Sequence, residues 1–355
     1  MQPSNLSEEN QALQSENKNL RERLLELYLQ INTLSTISHD FAIPIPSNGK
    51  SGTNSPIASD YSFIQTEHTI LQTGAVYSAA VSPSGDQVAL SSINGAVTIL
   101  TSSLKPVITL NAHNLSCRDV FWGASSLVSC GFDKTVKVWD VEKQKSQDIG
   151  TGGLCHSVCG HSNDSNSILC ATGESVLWID KRRQTPVRIP HDSPITSVTT
   201  FRDQIIYGGY DGSIYAVDKR ALQNGSIWKI GLEGGAVSSL SRVLVEGQCV
   251  VTTSKSQPVL LEINTKVNTS LLAFEPPMRF GCRADITEKN LIFGSDFSSV
   301  CGGRMAAFCS GLSEPFLFED VGGFDYGAIF LSEIAQKVLT YSEDGVIAVW
   351  SIKQA

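Results

Sequence analysis

Apolar residues follow two different periods along this chain. Near the N-terminus Leu6, Leu13, Leu20, Leu27 and Leu34 recur every seven residues, with Asn10, Asn17, Leu24 and Ile31 between them. This is a heptad pattern with leucine at d and the Asn, Asn, Leu, Ile series at a. No Pro or Gly interrupts it from Asn5 to Ile37. It predicts a leucine-zipper helix, started by Asn5 as cap with Glu8 as its reciprocal partner. Leucine at d favours a parallel dimer. Asn10 and Asn17, buried at a, penalise other registers and weaken the first half of the seam. A parallel homodimer and a heterodimer through residues 5–37 both fit, and a helix docked on another surface is the alternative. The stripe is narrow, as expected of a coiled coil rather than of a docked helix.

The heptads then give way to IPIPSNGKSGTNSPIASD, a stretch of Ser, Pro, Gly and Asn that cannot bury enough surface to fold alone. Beyond it the period falls to two. The clearest unit is LVSCGFDKTVKVWD, Leu127 to Asp140: an apolar strand ending in small residues, a turn carrying Asp133, and an alternating strand ending in Trp139-Asp140. The pattern returns as IIYGGYDGSIYAVD from Ile205 and VLTYSEDGVIAVW from Val338. Fainter copies begin at Val88 and Leu169.

These units resemble WD repeats, each of which forms a four-stranded blade of a β-propeller. The resemblance implies an all-β fold, a seven-bladed WD-type β-propeller, preceded here by an α-helical coiled-coil segment. The expected domains are a zipper over 1–37, a disordered linker over 38–65 and a propeller over 66–355. The blades near 235–272 and 278–318 carry the weakest pattern. HTILQT, His68 to Thr73, is a spare strand expected to complete the last blade and close the ring. The resemblance also implies that His113, Ser129, Asp133 and Trp139 form the family's structural tetrad, in which Asp holds His, His bonds the Ser hydroxyl and Ser bonds the Trp indole. The fourth repeat keeps His191 and Asp211 but has Val217 where Trp would stand, so its tetrad is expected to be incomplete.

Composition narrows the function. A net charge of −8 without a basic stripe argues against a general nucleic-acid surface. The polar N-terminus and the lack of a long apolar run predict neither a secretion signal nor a membrane span. The nine cysteines lie mostly in apolar strand-like runs and read as small buried hydrophobes of a reducing compartment, cytoplasm or nucleus. Cys155, His156, Cys159 and His161 lack a second ligand pair at finger distance, so no metal is expected. No Gly-rich phosphate loop, nucleophile elbow or paired carboxylate appears, and neither catalysis nor a cofactor is expected.

One cluster stands out. Ile179-Asp180-Lys181-Arg182 and Val217-Asp218-Lys219-Arg220 occupy equivalent places in adjacent repeats. Arg182, Arg183 and Arg220 are therefore candidate contacts for a partner's carboxylate or phosphate. Solubilising turn residues with local Asp partners would look the same. The two segments also resemble the WD-x-Arg box of cullin-type ubiquitin-ligase substrate receptors, with Ile179 and Val217 in place of Trp. The whole layout is similar to that of G-protein β subunits, but with a long linker. The expected function is a non-enzymatic protein–protein interaction scaffold, dimerising or recruiting through the zipper and binding other proteins on the propeller faces. A G-protein β-like signalling subunit and a ubiquitin-ligase substrate receptor are the alternatives.

Overall fold

A computed structural model describes residues 61–354, apart from residues 271–282, 287–290, 297–303, 310–315, 318–324 and 333–336 and single residues or short stretches in other turns. The chain divides into residues 1–55 and residues 56–355. The zipper positions from Leu6 to Leu34 and most of the expected linker lie outside the described residues.

Apart from one short 3-10 turn at Leu222–Asn224, the described regular elements are strands. First comes β1 (Tyr61–Ile70). The first blade holds β2 (Val76–Val81), β3 (Gln87–Ser92), β4 (Ala96–Thr101) and β5 (Pro106–Asn111). The second holds β6 (Cys117–Trp122), β7 (Leu127–Gly131), β8 (Thr135–Asp140) and β9 (Lys145–Gly150). The third holds β10 (Cys155–His161), β11 (Asp164–Thr172), β12 (Ser175–Asp180) and β13 (Val187–Pro190). The fourth holds β14 (Ile195–Phe201), β15 (Gln204–Gly209), β16 (Ser213–Asp218) and β17 (Trp228–Gly231). The fifth holds β18 (Val237–Leu240), β19 (Gln248–Thr253), β20 (Val259–Glu262) and β21 (Val267–Ser270). After β22 (Asp285–Ile286), β23 (Leu291–Asp296), β24 (Arg304–Cys309) and β25 (Phe316–Leu317) come β26 (Asp325–Ser332), β27 (Lys337–Ser342) and β28 (Val346–Gln354).

These strands pair into seven four-stranded antiparallel sheets. Six are complete blades with strands of four residues or more. The sheet β22–β25 is abbreviated: its first and last strands have two residues each. The expectation of seven blades is thereby corrected to six full blades and one reduced sheet, at a place where the repeat pattern is faintest.

The last sheet runs β1-β28-β27-β26, so the first described strand is the outer strand of the final blade. It pairs with β28 from Tyr61↔Gln354 to Ile70↔Val346, with a bulge at Gln65/Glu67. The closing strand thus takes residues 61–65 from the expected linker and ends before Leu71. Pairing with β28 satisfies the backbone along its length, although Gln65-Thr66-Glu67 shows no apolar alternation.

Burial explains which strands are apolar. The second strands β3, β7, β15, β19 and β27 are buried almost without a break, because neighbouring blades cover both faces of each sheet. The outer strand β9 is buried only at Ile149. The core is a series of wedges. One joins Val97, Ile99 and Leu110 of the first blade to Val120, Leu127 and Trp139 of the second. The next joins Val128 and Val136 to Val158, Ile168 and Leu177.

Innermost strands share a further device. In β2, β6, β10, β14, β18 and β26 the register shifts after the first residue. Such a bulge bends a strand and re-aims its side chains. The residues just past it knit adjacent blades together. The Ser197 hydroxyl accepts from the Leu240 N–H at 2.9 Å, and the Asp119 carboxylate accepts from the Val158 N–H at 2.8 Å. Asp119 also receives Ser78 Oγ at 2.6 Å and the Arg283 guanidinium at 2.8 Å.

Candidate interaction surface

The second blade holds a continuous polar chain in its interior. Asp133 Oδ1 lies 2.9 Å from His113 Nδ1, His113 Nε2 lies 2.9 Å from Ser129 Oγ, and Trp139 Nε1 donates to that oxygen at 2.9 Å. A carboxylate only accepts, so Nδ1 carries the proton and Ser129 donates to Nε2. Burial lowers the His113 pKa, although Asp133 opposes it, which agrees with a neutral imidazole. Gly131 is needed here: a Cβ on it would stand 2.7 Å from the His113 ring. All four residues expected to form the tetrad are thus linked in one chain, each to the next.

The fourth blade replaces that chain with aromatic packing. His191 sits edge-on to Tyr215 at 4.3 Å and to Tyr207 at 5.5 Å. Asp211 accepts the Tyr215 hydroxyl at 2.6 Å. One contact escaped the sequence reading: Trp350 Nε1 donates to Thr340 Oγ1 at 3.1 Å, repeating the Trp139–Ser129 bond with the same ten-residue spacing. Its signal was present in VLTYSEDGVIAVW, where Thr stands for Ser.

The tempting Cys/His group is dispersed by its own strand. Cys155 Sγ meets Thr151 Oγ1 at 3.2 Å, while His156 turns at the bulge to sit edge-on to Phe132 at 5.4 Å. Burial, helped by the nearby Arg118 charge, lowers the His156 pKa to about 4. Burial pushes the Cys159 thiol far above its usual range.

The basic turns are more neutral than their sequence suggests. Arg182 donates to both oxygens of Asp180, from Nε at 2.9 Å and from NH2 at 2.8 Å. Arg220 does the same with Asp218 and lies 3.6 Å from Asp203. Asp164 of the third blade meets Lys219 of the fourth at 3.6 Å, so the two turns are neighbours. Four carboxylates therefore interleave the four cations Lys181, Arg182, Lys219 and Arg220. Arg183 lies outside the described residues.

Among the described residues, half of the large exposed apolar side chains share one face, while Ile227 and Val245 lie on the other and the rest on outer strands. In each blade the turn between second and third strands lies on the same face as the connection to the next blade. Ile93, Leu115, Leu154 and Tyr210 all occupy such positions, at 46%, 56%, 41% and 61% exposure, and Ile70 ends β1 on that side at 67%. These five lie along an arc from the last blade through the first three to the fourth. Inside the arc, the Arg118 guanidinium is stacked 4.2 Å over Tyr77 and 5.1 Å from Phe132. Aromatic residues and arginine beside aliphatic neighbours are the composition of protein-binding centres.

Residues 104–140 match the family model of the WD domain, G-beta repeat. That segment includes most of the second blade and its complete polar chain. No curated protein matches the chain. Among solved structures, the chain is similar to the crystal structure of the Myceliophteria thermophila Cps50 (Swd1) β-propeller domain. The TM-score is 0.66 at 13% identity, over 80% of this chain and 98% of that one. At this identity the likeness shows a β-propeller fold and carries no function with it.

Proposed function

We propose that this protein is a non-enzymatic WD-repeat scaffold: a β-propeller that binds partner proteins and is dimerised or recruited through its N-terminal heptads. The apolar arc of Ile70, Ile93, Leu115, Leu154 and Tyr210 around the Arg118 stack carries this reading. So many large apolar groups on one face cost solvation unless a partner covers them. The local Asp partners of Arg182 and Arg220 add nothing to the ubiquitin-ligase alternative.

The test is affinity capture with three baits: the full chain, a form lacking residues 1–60, and the triple variant Ile93→Glu, Leu115→Glu, Leu154→Glu. Partners lost only in the triple variant belong to the arc, and those lost only in the truncation belong to the heptads. Retention of every partner by the triple variant would remove the arc from the proposal. Sedimentation of the full chain as a monomer at tens of micromolar would remove the homodimer.

A further inference from the structure

Between the third and fourth blades an open groove of about 940 Å³ runs down the side of the ring. Its walls are Trp178 and Val187 of the third blade and Tyr215, Val217 and Leu222 of the fourth. Trp178 pairs with Val187 across β12 and β13, so their side chains share the face turned to the fourth blade. Val187 is 48% exposed. The connection from β16 to β17, residues 219–227, is longer than the corresponding connections of the first three blades. Its short 3-10 turn brings Leu222 against the same wedge as Trp178.

The groove ends at cations. Lys219 Nζ lies 5.2 Å over the Trp178 ring and 3.6 Å from Asp164, and the 71%-exposed Arg220 stands beside it. Among the described residues, no Asp or Glu lines this groove. The corresponding groove between the first and second blades also presents a Val and a Trp, but Asp140 and Glu142 line it. The two grooves thus share their apolar chemistry and differ in charge. Arg220 does contact Asp218 and Asp203, but such exposed pairs contribute little and exchange readily. Nε and Nη2 bond Asp218 and Nη1 faces Asp203 at 3.6 Å, so an incoming carboxylate is received by exchange with these exposed partners.

We propose that the groove between the third and fourth blades docks an extended acidic segment of a partner protein. A bulky apolar side chain of the segment rests against Trp178 and Val187, and a neighbouring carboxylate is received by Arg220 and Lys219. The proposal rests on the scaffold reading but uses a surface apart from the apolar arc.

The probe is a fluorescein-labelled dodecapeptide alternating Asp or Glu with Leu or Phe, titrated with the full chain by anisotropy. Saturable binding is expected. Val187→Glu and Arg220→Glu should each weaken it about tenfold, and raised salt should weaken it further. Both residues are exposed, so neither change should alter the melting temperature, which is checked alongside. A peptide with Lys for every acid should fail to bind, as should one with Ala for every Leu and Phe. Leu115→Glu, on the arc, should change nothing. Absence of saturable binding overturns the proposal, as does unchanged affinity in the Val187→Glu, Arg220→Glu double variant or equal binding of the Lys peptide. If the probe fails while the arc variant still loses partners in capture, this groove falls and the scaffold reading stands.

Discussion

At the residue scale, spacing and side-chain chemistry made the interior of the second blade legible. His113, Ser129, Asp133 and Trp139 are separated in sequence, yet the donors and acceptors of successive members match along one chain. Ser129→Ala should leave the Trp139 indole N–H and His113 Nε2 unpaired in the core, at about 1–3 kcal/mol per group, read by urea unfolding. Ser129→Thr, which keeps the oxygen, should recover most of the loss. Strand alternation separates His156 from Cys155, but no local pattern announces Phe132 as its neighbour or the bulge that turns it there. Its pKa of about 4 in the folded chain lies below the ordinary value of 6.5. The unfolded chain therefore binds the proton first on acidification. The neutral ring costs nothing above pH 6.5, and stability is lost as pH falls from there towards 4, by about 3 kcal/mol in all. His156→Leu should flatten the difference in unfolding free energy over this window, and an unchanged slope would show that other groups dominate it.

At the element scale, repeats with strong turns were readable and elements without them were not. Asp133 and Asp211 sit in tight turns between second and third strands, and each helps to hold its turn through backbone N–H groups. The sheet β22–β25 follows residues with little alternation, and its pairing shortens accordingly. The need for a closing strand was visible, because the final repeat supplies only three, but its limits were not. Pairing along β28, rather than apolar pattern, sets where β1 begins. Removing residues 1–60 should leave the melting temperature of the propeller nearly unchanged. Removing residues 1–70 deletes β1 and exposes the edge of β28, so it should lower the melting temperature by more than about 5 °C and promote aggregation. Equal melting of the two truncations would mean that β1 contributes little to the ring.

At the scale of the whole molecule, the groups that tie the ring together come from distant parts of the chain. Arg283, just before β22, reaches Asp119 on β6 at 2.8 Å and Ser78 on β2 at 3.1 Å. Because the Val158 N–H of β10 also donates to Asp119, four sheets meet at one carboxylate. No local pattern announces it, since Asp119 and Arg283 lie 164 residues apart and each sits in an ordinary apolar setting. The Asp119 side chain is 4% exposed and that of Arg283 24%. Taking away the guanidinium leaves a buried carboxylate with only Ser78 and two backbone N–H groups to hold it. Arg283→Met should therefore cost about 3–5 kcal/mol. Asp119→Asn should cost a comparable amount, because its amide presents a donor to partners that already donate. In the double variant the lone buried charge is gone, so its cost should fall short of the sum of the two by more than about 1 kcal/mol. Because the pair is buried, this coupling should persist in about 0.5 M salt, where a surface pair would be screened. Additive costs in the cycle would show that the two side chains act separately, and the ring would then be held by its apolar wedges and by the closing strand alone.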